Sequence, residues 1–209
     1  MKRTWFAVAV AAVLWFVMFS PWTAPRVDFW QMMAGSALVL TALVTLFTPP
    51  WWERLRFDGR NLVLGVVVAV VLWGVFWVGD KVASWMFTFA RPQVDTIYGI
   101  KEGVSPWLLS ALLLFLIGPA EEIFWRGYVQ ENFSRRWGGN VGFLVATACY
   151  TLVHVPSLNF MLVMASLVCG AAWGLLYRLI PQHFTAIVIS HALWDAAVFV
   201  WFPIMRVES

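Results

Sequence analysis

The feature that most constrains this chain is a succession of long apolar segments separated by short polar ones. An α-helix needs about 20 apolar residues to cross the roughly 30 Å hydrocarbon core of a bilayer. Segments near that length are residues 4–20, 29–47, 61–78, 106–129, 140–154, 158–180 and 184–202, of which the fifth is short. Proline or glycine separates most of them, as Pro49 and Pro50 do after the second. We therefore predict an all-α, polytopic transmembrane helical bundle of about seven spans, within a range of six to eight.

The composition excludes a soluble globular protein. Hydrophobic residues make up 62% of the 209 residues and charged residues 12%, whereas soluble proteins carry about 25% charged residues. The net charge of +3 is typical of loop charges that orient a membrane protein, not of a nucleic-acid surface. We predict contact with membrane lipids and with no nucleic acid, and the sequence does not indicate an oligomeric state.

Lysine and arginine set the expected orientation, because they collect on the cytoplasmic side of membrane proteins. With the N-terminus in the cytoplasm, nine of the 14 fall on or near that side and five on the other. The five are Arg26, Lys81, Arg91, Lys101 and Arg206. The short length favours a small prokaryotic protein. We predict a multi-pass protein of a prokaryotic inner or plasma membrane, with a cytoplasmic N-terminus and, for seven spans, an external C-terminus.

Two segments have a second interpretation. The first span resembles a signal peptide, but its candidate cleavage site after Ala24 is followed by Pro25, so we expect a retained helix. The segment 81–90 is too short to span a bilayer. We predict that it lies along the interface or extends the third helix.

Ionisable side chains inside apolar segments give the strongest functional signal. A charge at mid-bilayer costs about 2.5–3.5 kcal/mol on insertion scales, so such a residue is a functional candidate by default. Three acids and two histidines lie well inside these segments: Glu121, Glu122, Asp195, His154 and His191. The rise per residue puts His191, Glu121 and His154 roughly 12, 15 and 20 Å from the cytoplasmic ends of their helices. Three helices therefore carry polar groups to a similar predicted depth.

Several of these residues have a partner four positions away, which places both on one helix face. The pairs are Glu122 with Arg126, Tyr150 with His154, and His191 with Asp195. The first predicts an ion pair. In the third, the carboxylate can orient the imidazole, or both groups can face one ligand.

Together these groups can hold and activate a water molecule. A buried Glu is a competent general base, a nearby His can share the proton, and a His–Asp pair can donate to a tetrahedral oxyanion. No serine nucleophile is indicated, because Ser190 and its neighbour His191 point in different directions on a helix. A divalent metal such as zinc is an alternative, since His and carboxylate ligands suit it. Its ligands would be Glu121, His154 and His191.

Three short motifs carry a family resemblance. Residues 121–126 read E-E-x-x-x-R, residues 150–154 read F-x-x-x-H with Tyr in place of Phe, and residues 191–195 read H-x-x-x-D/N. In this order, each in a predicted membrane helix, they resemble the CAAX prenyl protease type II-like intramembrane proteases, also called CPBP or Abi proteins. The resemblance covers about residues 106–202.

The resemblance implies a role for each residue. Glu121 is expected to be the water-activating base, His154 to share that water, and His191 with Asp195 to stabilise the oxyanion. The residues expected to support the site are Glu122, Arg126 and Tyr150. Such proteins are better described as glutamic-type than as metal-dependent, so we expect no cofactor. An Asp at position 195 must be protonated, or act through His191, to donate to an oxyanion.

We accordingly predict an intramembrane endopeptidase that hydrolyses a peptide bond of a membrane-associated or lipidated protein by Glu- and His-activated water. Residues 1–105 would hold the N-terminal transmembrane helices with an interfacial segment, and residues 106–204 the CPBP-like catalytic core. The resemblance implies substrates with prenylated C-terminal motifs, bacteriocin leaders or C-terminal sorting tails, and the sequence does not separate these.

Other interpretations stay open. A proton-coupled transporter would use the same buried acids and histidines, although neither repeats nor paired broken helices are evident. A non-catalytic scaffold or immunity protein could keep the same helices, but all the expected catalytic positions are occupied. The pair Glu122–Arg126 is interpreted as mainly structural, and His183, beside Pro181, is predicted to be solvated.

Overall fold

A computed structural model describes residues 1–48 and 50–204 of the chain. Pro49 and Arg206, interpreted above as a helix terminator and a topology charge, lie outside the described residues. Within these ranges the chain forms eight helices and no strand. The helices are α1 (Lys2–Phe19), α2 (Phe29–Phe47), α3 (Gly59–Met86), α4 (Ala90–Gly99), α5 (Pro106–Trp137), α6 (Gly139–Leu152), α7 (Phe160–Leu179) and α8 (Pro181–Trp201).

The predicted all-α transmembrane bundle is confirmed. Among the described residues, six helices are long and apolar enough to cross a membrane, namely α1, α2, α3, α5, α7 and α8. The fifth predicted span, residues 140–154, is not among these six helices. It forms α6, whose 14 residues extend about 21 Å, less than the roughly 30 Å of a hydrocarbon core.

The segment 81–90 is divided between two helices. Its first part extends α3 as far as Met86, which is one of the two predicted forms. After a short turn the chain forms α4, a ten-residue helix that the apolar pattern did not predict. The reason is its composition, since Arg91, Gln93 and Asp95 interrupt the apolar pattern.

Side-chain caps explain where several helices begin. The first backbone N–H groups of a helix lack intrahelical partners, and Asp or Asn at the N-cap satisfies one of them. Asp28 accepts from the Gln31 N–H at 2.8 Å at the start of α2. Asp58 does the same for the Asn61 N–H at 2.8 Å at the start of α3. These caps fix the two helices at the points where the apolar runs start.

The middle of α5 is the most enclosed part of the bundle. All eight residues of Ile123–Gln130 are buried. This stretch and Leu113–Ile117 are π-helical, and they flank Gly118–Glu122 on both sides. Such wide turns frequently occur at functional sites. Gly118 lets α5 approach α8, because a Cβ at this position would lie 2.7 Å from the Cα of Ala192.

His183 is buried, so the prediction that it is solvated was wrong. The residue is 9% exposed, and its Nδ1 lies 2.9 Å from Oδ1 of Asn61. Asn61 belongs to the first turn of α3, which packs along α8. The local sequence around Pro181 looks like a loop, and only this packing places its histidine inside the protein.

Candidate active site

Glu122 lies at the centre of the polar cluster between α5 and α8. Its side chain is fully buried, and Oε1 accepts a hydrogen bond from Nη1 of Arg126 at 2.8 Å. The predicted ion pair is therefore present. The same oxygen lies 2.8 Å from Nδ1 of His191, a contact between helices that the sequence did not predict. Because a carboxylate is an acceptor only, Nδ1 of His191 carries the proton of this bond.

His191 lies between two carboxyl groups. Its Nε2 is 3.4 Å from Oδ2 of Asp195, the partner predicted from the four-residue spacing. The imidazole also stacks on the indole of Trp173, with 3.8 Å between ring centroids and 18° between ring planes. Trp173 is held in turn by its Nε1–H, which donates to Oγ of Ser190 at 2.9 Å. These contacts leave the imidazole little rotational freedom.

Glu121 is buried with an unused hydrogen-bonding atom. The residue is 7% exposed, and within the described part of the chain its Oε2 has no hydrogen-bond partner. Tyr150 lies on the wall of the same cavity. A buried polar atom without a protein partner calls for an explanation, such as a site for water or substrate.

His154 reaches the same region from the turn after α6. Its Nδ1 lies 2.8 Å from the carbonyl oxygen of Tyr150. Its Nε2 accepts a hydrogen bond from the indole Nε1–H of Trp15 at 3.2 Å. Both ring nitrogens are therefore engaged by protein groups, so that His154 has no free lone pair to offer a water in this arrangement.

Five of the seven predicted site residues line one cavity of about 560 Å³. They are Glu121, Tyr150, His154, His191 and Asp195. The other two, Glu122 and Arg126, lie behind this surface and hold His191 in place. The rest of the wall is mainly apolar and comes from α2, α3, α4, α5, α7 and α8, as well as from the end of α1.

Another part of the cavity wall comes from α4 and the residue that follows it. Tyr98 lines the wall there, and Lys101 donates from Nζ to the carbonyl oxygen of Phe199 at 2.7 Å. Partial burial lowers the pKa of the Lys101 ammonium. Nη2 of Arg91 lies 3.3 Å from Oδ2 of Asp80, another residue of the wall. Asp80 and Tyr98 therefore add polar residues to the wall that also holds the predicted site residues.

The three residues predicted to bind a metal if one is present do not form a metal site in the structure. They are Glu121, His154 and His191. Across residues 1–48 and 50–204, no group of three or more His, Cys, Asp and Glu side chains is arranged to hold an ion. His154 also has both ring nitrogens in hydrogen bonds, and a metal ligand needs a free one. This donor set therefore does not fit a divalent cation.

Two residues that contact the candidate site were not predicted from the sequence. Trp173 stacks on His191, and Trp15 donates to His154. Both are among 15 tryptophans in the chain, and neither falls in one of the three motifs. No local signal separated them from the tryptophans of the membrane interface.

The fold and the site together define a polytopic helical membrane protein whose buried carboxyl and imidazole groups meet at the wall of a largely apolar cavity. Residues 103–197 match the family model described as type II CAAX prenyl endopeptidase Rce1-like. This match confirms the resemblance to the CAAX prenyl protease type II-like proteins that the three motifs carry. No curated protein matches, and no solved structure matches.

Proposed function

We propose that the protein is an intramembrane endopeptidase in which Glu121 activates a water molecule. One observation carries this proposal. The buried carboxyl group of Glu121 has an oxygen without a hydrogen-bond partner among the described residues, in a cavity whose wall also holds His154, His191 and Asp195. The family match over residues 103–197 supports an endopeptidase, and the assignment of roles to residues is ours.

The proposed reaction is the addition of water to a peptide carbonyl. Glu121 takes one proton from the water as the oxygen attacks the carbonyl carbon, which gives a tetrahedral intermediate with a negatively charged oxygen. That proton then passes to the amide nitrogen, and the C–N bond breaks. The products are a carboxylic acid and an amine, so the protein is unchanged after each cycle.

His191 and Asp195 are the proposed donors to the developing oxyanion. Donors that are already oriented stabilise such a charge without any reorganisation during the reaction. Glu122 holds one side of the His191 imidazole at 2.8 Å, and Trp173 stacks on its face. The other ring nitrogen, Nε2, lies 3.4 Å from Oδ2 of Asp195. In this proposal the proton shared by these two groups is donated to the oxyanion. Tyr150, on the same cavity wall as Glu121, can orient the water through its hydroxyl.

We propose no metal in this chemistry. Glu121 suffices as a base, and within the described residues no group of three or more His, Cys, Asp and Glu side chains is arranged to hold an ion. The prediction of a metal-free site therefore stands as part of the proposal, and metal analysis of the purified protein would check it.

The cavity suits a substrate with an apolar part. Its wall is mainly apolar, and α3 and α7 contribute wall residues that are exposed, such as Val82, Met86, Phe160 and Met164. In a bilayer these positions face lipid, so a membrane segment or a lipid chain can enter sideways between the two helices. This supports a membrane-associated or lipidated protein as the substrate.

Replacing Glu121 by Gln tests the proposal. Glutamine keeps the shape and removes the base, so cleavage should fall by about 10²–10⁴-fold, the usual contribution of a general base. The termini of membrane proteins would be compared by mass spectrometry in cells that make either form. Proteins that keep an uncut segment only in the variant are then substrates.

Glu102→Gln is the matched control, because Glu102 is an exposed acid outside the cavity wall. It should leave all termini as in the unsubstituted protein. If Glu121→Gln is present at normal level and leaves the same termini, Glu121 is not a base for any substrate made in those cells, and transport becomes the leading hypothesis.

A further inference from the structure

The first helix supplies a contact to the site that lies outside both the motifs and the family match. Trp15 of α1 is 1% exposed, and its indole N–H reaches Nε2 of His154 at 3.2 Å. Its ring also packs edge-on against Trp125, with 6.4 Å between centroids. The matched residues begin only at 103. The N-terminal part of the chain therefore touches His154, the residue that the family resemblance implies shares the attacking water.

The two hydrogen bonds of His154 define where its proton is. A carbonyl oxygen can only accept, so Nδ1, which lies 2.8 Å from the Tyr150 oxygen, carries a proton. An indole N–H can only donate, so Nε2 carries a lone pair. A proton on Nε2 would point at the indole proton and break this bond. The arrangement therefore holds a neutral imidazole with both nitrogens occupied.

We propose that Trp15 is a positioning residue that masks the proton-accepting nitrogen of His154. While the indole is in place, water in the cavity can bind Glu121 but cannot donate to Nε2. His154 joins the proton transfer only after the indole has moved aside, so the position of α1 controls when the histidine can act. The role of His154 rests on the proposed function, whereas the masking depends only on the contact.

Chemical modification of the histidine tests the masking. Diethyl pyrocarbonate acylates an imidazole nitrogen that has a free lone pair, and it is small and apolar enough to enter the cavity. Trp15→Phe keeps an aromatic ring and removes the N–H. We expect the modification rate of His154 to rise about tenfold in this variant, near the upper end for the loss of one hydrogen bond. Mass spectrometry of the peptide that contains His154, from protein in lipid nanodiscs, gives the rate.

Trp125→Phe is the matched control. Trp125 is equally buried at 1% exposed and belongs to the same aromatic cluster, but its indole N–H has no hydrogen-bond partner within the described residues. The modification rate of His154 should stay unchanged in this variant. An equal rise in both variants would mean that the cavity has merely loosened, and no rise in Trp15→Phe would mean that Nε2 is not masked. Either result overturns the proposal.

Nitrogen-15 NMR of the unsubstituted protein gives a second test if Trp15→Phe does not fold. The chain has three histidines, and loss of one signal set in His154→Gln assigns the resonances. We expect a protonated Nδ1 and an unprotonated, hydrogen-bonded Nε2. A proton on Nε2 would contradict the proposal. Neither measurement needs a substrate, so both are independent of whether Glu121→Gln stops cleavage.

Discussion

Among single residues, Glu122 has the most consequential contacts, because one of its oxygens serves both the ion pair and the imidazole of His191. Oε1 lies 2.8 Å from Arg126 Nη1 and 2.8 Å from His191 Nδ1. Two further hydrogen bonds at 3.3 Å fix the guanidinium on the carbonyl oxygens of Cys169 and Gly170. Arg126 therefore couples α5 to α7, and Glu122 couples α5 to α8.

Loss of the arginine should be costly. Arg126→Met leaves the carboxylate of Glu122 buried without its cation, and breaking a buried pair in this way costs about 3–5 kcal/mol. We expect the free energy of unfolding, measured by SDS titration in mixed micelles, to fall by that amount.

Arg135→Met provides the comparison on the same helix. Its pair with Glu131 has the same spacing and the same 2.8 Å distance, but the Arg135 side chain is 71% exposed. Exposed pairs contribute about 0–1 kcal/mol. Equal losses in the two variants would show that Glu122 is not held as a buried charge.

The sequence predicted the contacts within a helix better than those between helices. The pairs Glu122–Arg126 and His191–Asp195 follow from a spacing of four, which any helix turns into proximity. The contact of Glu122 with His191 depends instead on how α5 packs on α8, and that of Trp15 with His154 on where α1 docks. Neither packing leaves a periodic signal in the chain.

At the scale of elements, the approach of α5 to α8 sets the geometry of the site. Gly118 faces the backbone of α8, one turn before Glu122, and a Cβ there would lie 2.7 Å from the Cα and 2.9 Å from the N of Ala192. Backbone atoms cannot turn aside as a flexible side chain can. The two helices must therefore separate if position 118 carries a side chain.

Gly118→Ala should weaken both the fold and the reaction. Overpacking at such a contact costs about 1–3 kcal/mol, and separating the helices lengthens the 2.8 Å contact between Glu122 and His191. We expect a lower melting temperature in detergent together with a lower cleavage rate.

Gly74→Ala, in the middle of α3, is the counterpart, because a Cβ at Gly74 meets no described atom within 4 Å. Alanine there should raise stability by up to about 1 kcal/mol, since it favours the helix. A destabilised Gly74→Ala together with an unaffected Gly118→Ala would refute the proposed tight contact.

At the scale of the whole molecule, the lengths of the apolar segments predicted the helical bundle, but they did not predict that α6 would be shorter than a membrane span. α6 alone is too short to cross a bilayer, yet Nε of Arg178, near the end of α7, donates to Oδ1 of Asn140, near the start of α6, at 3.1 Å. The two helices are therefore antiparallel. If α7 crosses the membrane, the chain from Asn140 to the start of α7 crosses it as well, partly as a non-helical turn.

The predicted orientation can be checked by cysteine labelling. After replacement of Cys149 and Cys169, single cysteines in the connections 20–28 and 48–58 would be treated with a membrane-impermeant maleimide on intact cells. A cytoplasmic N-terminus places the first connection outside and the second inside, so only the first should react. With seven crossings, a cysteine at Pro203 should react too. The reverse pattern would contradict the orientation drawn from the lysine and arginine count.

The cavity wall draws on both sides of residue 103, where the family match begins. The carboxyl and imidazole groups come from the matched region, whereas α2, α3 and α4 supply much of the apolar surface that a substrate would touch. In the proposed function, the reacting groups therefore come from the matched region, and the surface that selects the substrate comes largely from the residues before it. A change in the earlier stretch can redirect the protein to another substrate while every reacting group stays in place, and transplanting the later stretch alone would carry the reaction without its selectivity.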